Sequence, residues 1–88
     1  MSRKLLVYGR PGCPMVPYAR DYLDRVNISY DYVDIYQDQQ ARERVRQINR
    51  GYESVPTIIF PDGSTLTEPT ARELEAKLKE AGIRFSPP

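Results

Sequence analysis

The chain has 88 residues, a single cysteine, no histidine and a formal net charge of +1. This length predicts one domain with a modest core, and the near-neutral charge gives no general attraction to nucleic acid or to an anionic membrane. The absence of histidine excludes catalysis by a Ser/His or Cys/His pair and a histidine-ligated metal site. A lone cysteine, no apolar run of membrane-spanning length and no signal peptide at the start together predict a cytoplasmic protein.

The first predicted element is an apolar strand over residues 5–8 that ends at Gly9, and a Pro/Gly loop follows it. Apolar residues then recur at helical spacing, which predicts a helix with Pro14 at its first position and Cys13 at its N-cap. The predicted buried stripe of this helix comprises Met15, Tyr18, Ala19, Tyr22, Leu23 and Val26.

The predicted position of Cys13 has a chemical consequence. The first turn of a helix carries unpaired N–H groups and partial positive charge, which stabilise a thiolate. Arg10 adds a positive charge three residues upstream. We therefore expect Cys13 to be a reactive nucleophile. The alternative is that Cys13 is a small apolar residue at a loop–helix junction.

A second strand is predicted over residues 29–35, and strand, helix and strand together predict a parallel β-α-β unit. A second helix is predicted over residues 37–49, with Asp38 as its N-cap or first-turn acid and Gly51 ending it. Its arginines alternate with Glu43 and several glutamines, which favours a solvated face over a nucleic-acid patch, although one arginine could still contact an anionic ligand. These arginines are Arg42, Arg44, Arg46 and Arg50.

The last third of the chain predicts a hairpin of strands over residues 57–60 and 64–66, joined by a Pro-Asp-Gly turn. The last helix is predicted over residues 67–81, with Pro69 at its first position. Thr67 and Thr70 are rival cap residues, and Thr70 has capping-box spacing to a glutamate. The predicted buried stripe of this helix comprises Ala71, Leu74, Leu78 and Ala81.

A cysteine after the first strand in a β-α-β-α-β-β-α chain resembles the thioredoxin fold, and specifically the glutaredoxins. The Cys-Pro-Met-Val loop at residues 13–16 resembles their active-site loop, and Ser54-Val55-Pro56 resembles their Thr-Val-Pro segment, whose proline is cis. The hairpin at residues 57–66 and the Tyr-Val-Asp-Ile segment at residues 32–35 match as well. The resemblance implies an α/β thioredoxin-like fold in which three helices flank a four-stranded mixed sheet. It implies one domain over residues 1–85 with a flexible tail over residues 86–88.

The resemblance also implies a function. Cys13 would be the catalytic nucleophile of a thiol–disulfide oxidoreductase that acts on mixed disulfides between proteins and a low-molecular-weight thiol. Glutathione or mycothiol would be the co-substrate of a monomer with no metal, no tightly bound cofactor, and no nucleic-acid or membrane partner. The substrate-binding residues implied are Arg10, Pro14, Ser54, Val55, Pro56, Thr67 and Thr70.

Three departures from the family pattern refine this expectation. Val16 occupies the place of a second active-site cysteine, which predicts monothiol exchange or, alternatively, a binding module that lost turnover with that cysteine. The loop also differs from the Cys-Gly-Phe-Ser loop of cluster-binding members, which disfavours an iron–sulfur cluster. Glu68 and Pro69 replace the family's Gly-Gly segment, which disfavours glutathione and makes the chain resemble the mycoredoxin branch.

Overall fold

The computed structural model describes residues 4–83, so the predicted tail at residues 86–88 lies outside the described part of the chain. Four strands and three helices alternate in the predicted order. They are β1 (Leu5–Gly9), α1 (Met15–Arg25), β2 (Tyr30–Asp34), α2 (Gln39–Ile48), β3 (Thr57–Ile59), β4 (Thr65–Thr67) and α3 (Ala71–Glu80). Within residues 4–83, no helix has the length and apolar character needed to cross a membrane.

The four strands form one mixed sheet in the order β2-β1-β3-β4. Strand β1 pairs in parallel with β2, where Val7 lies opposite Tyr32, and antiparallel with β3, where Val7 lies opposite Ile58. Strands β3 and β4 form the predicted hairpin. The predicted α/β fold class, with three helices around a four-stranded mixed sheet, is therefore confirmed.

Each face of the sheet contributes to its own apolar cluster, because successive strand residues point to opposite faces. One cluster joins β1 and β3 to α1 and α3, and its fully buried members include Val7, Leu23, Ile58, Leu74 and Leu78. The other joins the sheet to α2, and its members include Tyr8, Val16, Ile35, Val45 and Val55. The second cluster reaches Cys13, which packs against it as a partly buried residue.

The prediction of which α1 residues are buried was wrong for the first turns of the helix. Tyr18 is 77% exposed, whereas Val16 is only 4% exposed and belongs to the core. The residues from Ala19 to Val26 fit two overlapping stripes of a 3.6-residue period, one that continues to Met15 and Tyr18 and one that continues to Val16. The orientation of α1 on the sheet selects Val16, because the first turn lies over the end of β1 beside Gly9.

The predicted start of α3 was also wrong. The helix begins at Ala71, which is exposed, and Thr67 belongs to β4. Pro69 precedes the cap because Thr70 is the N-cap: its hydroxyl accepts the Glu73 N–H, and the Glu73 carboxylate accepts the Thr70 N–H. The capping box predicted from the sequence is thus confirmed, and it overrides the preference of proline for the first helical position.

Candidate active site

Cys13 lies in the loop that follows β1, partly exposed, one residue before the helix cap at Pro14. The predicted N-cap position of Cys13 was wrong by one residue, since Pro14 occupies it with helical backbone angles. The Val16 N–H donates to the Cys13 carbonyl at 3.2 Å, so a three-residue turn precedes the first regular helical turn. The sulfur therefore lies just outside the start of α1, at the end of a central strand.

The loop before β3 forms one wall of the site. The Val55–Pro56 peptide bond is cis, and the Val55 carbonyl oxygen lies 3.5 Å from the Cys13 Sγ, within reach of a thiol donor. The Pro56 carbonyl accepts the Glu68 N–H at 2.8 Å, which joins this loop to the segment before α3. Val55 and Pro56 are both buried, so the loop presents backbone to the sulfur.

A partly buried polar network supports this loop. The Asn49 side-chain amide donates to the Val45 carbonyl at 2.9 Å and to the Thr57 hydroxyl at 3.0 Å. Its oxygen accepts the Thr67 hydroxyl at 2.7 Å. The Thr57 hydroxyl in turn donates to the Ser54 carbonyl at 2.7 Å. Asn49 therefore connects the end of α2, both hairpin strands and the loop that faces Cys13.

A cavity of about 370 Å³ opens on the other side of Cys13, between α1 and β2. Its wall includes Tyr32 and Arg20, and the Arg20 guanidinium lies 4.0 Å from the centre of the Tyr32 ring. Arg20 is also held by its Nε, which donates to the Tyr30 hydroxyl at 3.2 Å. Burial raises the pKa of Tyr32, and the nearby Asp34 carboxylate adds to this.

Tyr32 and Arg20 were not predicted as site residues. The β-α-β pattern indicates that β2 lies beside β1, but side-chain contact between α1 and β2 depends on how the helix crosses the sheet. Asn49 was missed for a different reason. An asparagine shortly before a glycine signals the end of a helix, and nothing in the local pattern indicates that its side chain bonds to both hairpin strands.

Some predicted site residues lie around Cys13, whereas the hydroxyl groups of others are hydrogen-bonded elsewhere in the protein. Arg10 lines the cavity next to Cys13, and its guanidinium lies 5.9 Å from the centre of the Tyr36 ring. Ser54, Val55 and Pro56 form the facing loop. Thr67 and Thr70, by contrast, have hydroxyl groups with partners inside the protein, in Asn49 and in the α3 capping box. Pro14 is exposed at the start of α1.

The arrangement can support one kind of chemistry. The one cysteine thiol lies in the loop after a central strand, beside a helix start and opposite a backbone loop, which is the setting of a nucleophilic thiol. Residues 4–83 contain no cluster of three acidic, histidine or cysteine side chains that could hold a metal ion. Fold and site together define a redox protein of the thioredoxin class.

Comparison with known proteins gives the family. The glutaredoxin family model matches residues 5–64, and the chain belongs to the glutaredoxin family. A Mycobacterium tuberculosis protein assigned to the glutaredoxins is 42% identical over 78 residues, covering 89% of this chain and 93% of the relative. Mycoredoxin 1 of Corynebacterium glutamicum is 36% identical over 74 residues, covering 83% of this chain and 90% of the relative.

Solved structures agree on the fold. The crystal structure of a thioredoxin-like protein carrying one substitution superposes with a TM-score of 0.75 at 29% identity, covering 85% of this chain and 99% of that protein. The glutaredoxin of Archaeoglobus fulgidus superposes with a TM-score of 0.71 at 20% identity, covering 84% of each chain. The family and its mycoredoxin relatives support thiol–disulfide redox chemistry that uses a low-molecular-weight thiol.

Proposed function

We propose that this protein is a monothiol oxidoreductase that resolves mixed disulfides between proteins and a low-molecular-weight thiol. The observation that carries the proposal is the position of Cys13, the only sulfur nucleophile of the chain, at the mouth of a cavity and 3.5 Å from the Val55 carbonyl. Val16 is 4% exposed in the core, at the place of a second active-site thiol. One activated thiolate is sufficient for exchange with a small thiol.

The reaction proceeds in two exchanges. The Cys13 thiolate attacks the small-thiol sulfur of the mixed disulfide, a new disulfide forms to Cys13, and the protein sulfur leaves with the electron pair and takes a proton. A second small-thiol molecule, as thiolate, then attacks the capped cysteine. This step forms the disulfide of the small thiol and releases the Cys13 thiolate. Overall, one free small-thiol molecule is oxidised, the protein thiol is restored, and both small-thiol units leave as their disulfide.

The substrate groove in this proposal lies around Cys13. Arg10 and Pro14 border it on the side of the loop and the helix start, and Ser54, Val55 and Pro56 border it on the opposite side. Thr67 and Thr70 lie further along, next to the Glu68-Pro69 segment. Because Pro69 has no N–H and Glu68 is acidic, this segment disfavours a carboxylate, and we propose mycothiol over glutathione as the co-substrate. We further propose that the protein acts as a monomer in the cytoplasm.

The test is the coupled reduction of a small mixed disulfide, run once with glutathione and once with mycothiol. We expect turnover that is faster with mycothiol and that is abolished in Cys13→Ser. Intact mass after incubation with each oxidised thiol identifies the adduct on Cys13. A wild-type protein that forms an adduct yet shows no turnover with either thiol contradicts the enzyme and supports the second candidate, a binding module, which the loss of the second cysteine at Val16 favours.

A further inference from the structure

Two arginines of α2 are held by one carboxylate outside that helix. Arg42 donates from its Nε to Glu53 Oε2 at 2.9 Å, and Arg46 donates from its Nε to the same oxygen at 2.9 Å and again from a terminal nitrogen. The Glu53 side chain is 25% exposed, so these groups meet at the surface and not in the core. The hydrogen bonds from Arg42 and then Arg46 hold the pKa of Glu53 below its usual value.

This cluster borders the active site on the α2 side. Glu53 directly precedes the Ser54–Pro56 loop, in which the Val55 carbonyl contacts the Cys13 sulfur. The Arg42 guanidinium lies 5.4 Å from the centre of the Tyr36 ring, and Arg10, which lines the cavity of Cys13, lies 5.9 Å from the same ring. Arg42 is therefore linked to the wall of the reactive cavity through the exposed ring of Tyr36, and Arg46 is linked to Arg42 through Glu53.

Guanidinium groups bind carboxylates through paired N–H donors, so arginines beside a thiol site form a natural recognition point for a thiol that carries a carboxylate. Here that point is already occupied by a carboxylate of the chain itself. A tethered group competes at an effective concentration of about millimolar or more, so a free ligand must displace it. Because Glu53 and both arginines are partly exposed, solvent screening keeps the free energy of this competition small.

We propose that Glu53 is a specificity-determining residue that occupies the arginines of α2 and so selects against co-substrate thiols that bear a carboxylate on this side of Cys13. The proposal rests on the proposed use of a small thiol. It concerns a part of the site separate from the Glu68-Pro69 segment, and it makes thiol preference depend on a carboxylate that is hydrogen-bonded to the arginines of α2.

The test measures binding without turnover. S-methylglutathione carries both glutathione carboxylates and no free thiol, and its binding to the reduced full-length protein is followed by NMR titration. Glu53→Gln is expected to bind it roughly threefold more tightly than wild type, because the competing charge is gone. Glu43→Gln is the matched control: the Glu43 side chain is 59% exposed and lies 3.8 Å from an Arg46 nitrogen, so its removal is expected to leave binding unchanged.

Two further comparisons complete the design. N-acetyl-S-methylcysteamine lacks a carboxylate, and its binding is expected to be the same in all variants. In the double variant Arg42→Gln/Glu53→Gln the gain is expected to disappear. Equal binding by Glu53→Gln and wild type, an equal gain for the uncharged ligand, or no detectable binding by any variant at millimolar ligand overturns the proposal. Since no exchange occurs in this assay, its failure is distinct from a failure of the proposed catalytic activity.

Discussion

At the scale of single residues, Gly9 shows how closely the site is packed. A Cβ placed on Gly9 would lie 2.7 Å from both Cε1 and the hydroxyl oxygen of Tyr32, and 2.9 Å from Cγ1 of Val16. The position therefore has no room for a side chain, because Tyr32 and the first turn of α1 both pack directly against Gly9. The glycine is required by close packing rather than by an unusual backbone angle.

Replacing Gly9 with alanine is expected to destabilise the protein by about 1–3 kcal/mol, because an extra methyl group in a packed site forces its neighbours to move. Urea unfolding measures this, and a drop in the melting temperature of roughly 4–8 °C per kcal/mol accompanies it. In a Tyr32→Ala background the cost is expected to shrink, since two of the three close contacts are removed. A Gly9→Ala variant as stable as wild type contradicts the packing described for this position.

At the scale of elements, the Asn49 side chain connects α2 to the hairpin through hydrogen bonds. All three of its side-chain hydrogen-bond contacts fall on different partners, namely Val45, Thr57 and Thr67. Since Thr57 also holds the Ser54 carbonyl, one side chain at the end of a helix positions the loop that faces Cys13. The loop is therefore supported by a polar network in addition to the apolar packing of Val55.

Asn49→Ala is expected to cost about 1–3 kcal/mol in unfolding free energy, because the partly buried network loses its three hydrogen bonds to Asn49. Gln47→Ala, an exposed substitution on the same helix, is the control and should have little effect. A double-mutant cycle with Thr67→Val isolates one bond of the network. We expect the double variant to cost less than the sum of the single variants by at least about 0.5 kcal/mol. Strict additivity would show that the two side chains do not interact in solution.

The start of α3 provides a second prediction at this scale. Thr70→Ala removes the capping hydroxyl and is expected to cost about 1 kcal/mol, whereas Thr70→Ser keeps an equivalent oxygen and should retain most of the stability. Thermal and urea unfolding of the three proteins check this order. A Thr70→Ala variant with wild-type stability would show that the capping box contributes nothing, and would leave a ligand contact as the remaining role for this hydroxyl.

The same elements show what the sequence alone can predict. Turn and cap residues act locally, so the Asp38 cap, the capping box at Thr70 and the hairpin turn at Pro61-Asp62-Gly63 could all be predicted, together with the element order. Choices that depend on tertiary packing could not. Val16 and Tyr18 both fit an amphipathic helix. Which of the two is buried depends on how α1 packs against the sheet at Gly9.

The site divides in the same way. Cys13 and the Ser54–Pro56 segment are marked by short motifs, and the structure brings them together because β1 and β3 are neighbours in the sheet. Arg20 and Tyr32 meet only because α1 crosses above β2, and Glu53 reaches Arg42 only because the chain turns back after α2. The residues in these contacts are not related by helical or strand periodicity and belong to no common motif. The sequence pattern therefore does not predict that they meet.

At the scale of the whole molecule, the sheet separates two clusters of buried apolar residues, and the partly buried Tyr32 packs against both. Ile58 of β3 is 0% exposed in the cluster under α1 and α3, and Ile35, just after β2, is 1% exposed in the cluster under α2. Since the two side chains pack against different helices and share no cluster, they should stabilise the fold independently. Both faces are nevertheless needed to position Cys13, because α1 begins on one cluster and ends on the other.

The substitutions Ile35→Val and Ile58→Val each delete one buried methyl group and are expected to cost about 0.5–1.5 kcal/mol. The double variant is expected to cost the sum of the two, within about 0.5 kcal/mol, because Ile35 and Ile58 belong to different clusters, although Tyr32 packs against both. Urea unfolding of the four proteins completes the cycle, and a denaturant slope that stays constant shows that the unfolded states are comparable. A coupling energy well above 0.5 kcal/mol would mean that the sheet transmits packing changes between its faces, and that the loop at Cys13 is sensitive to both clusters as a single unit.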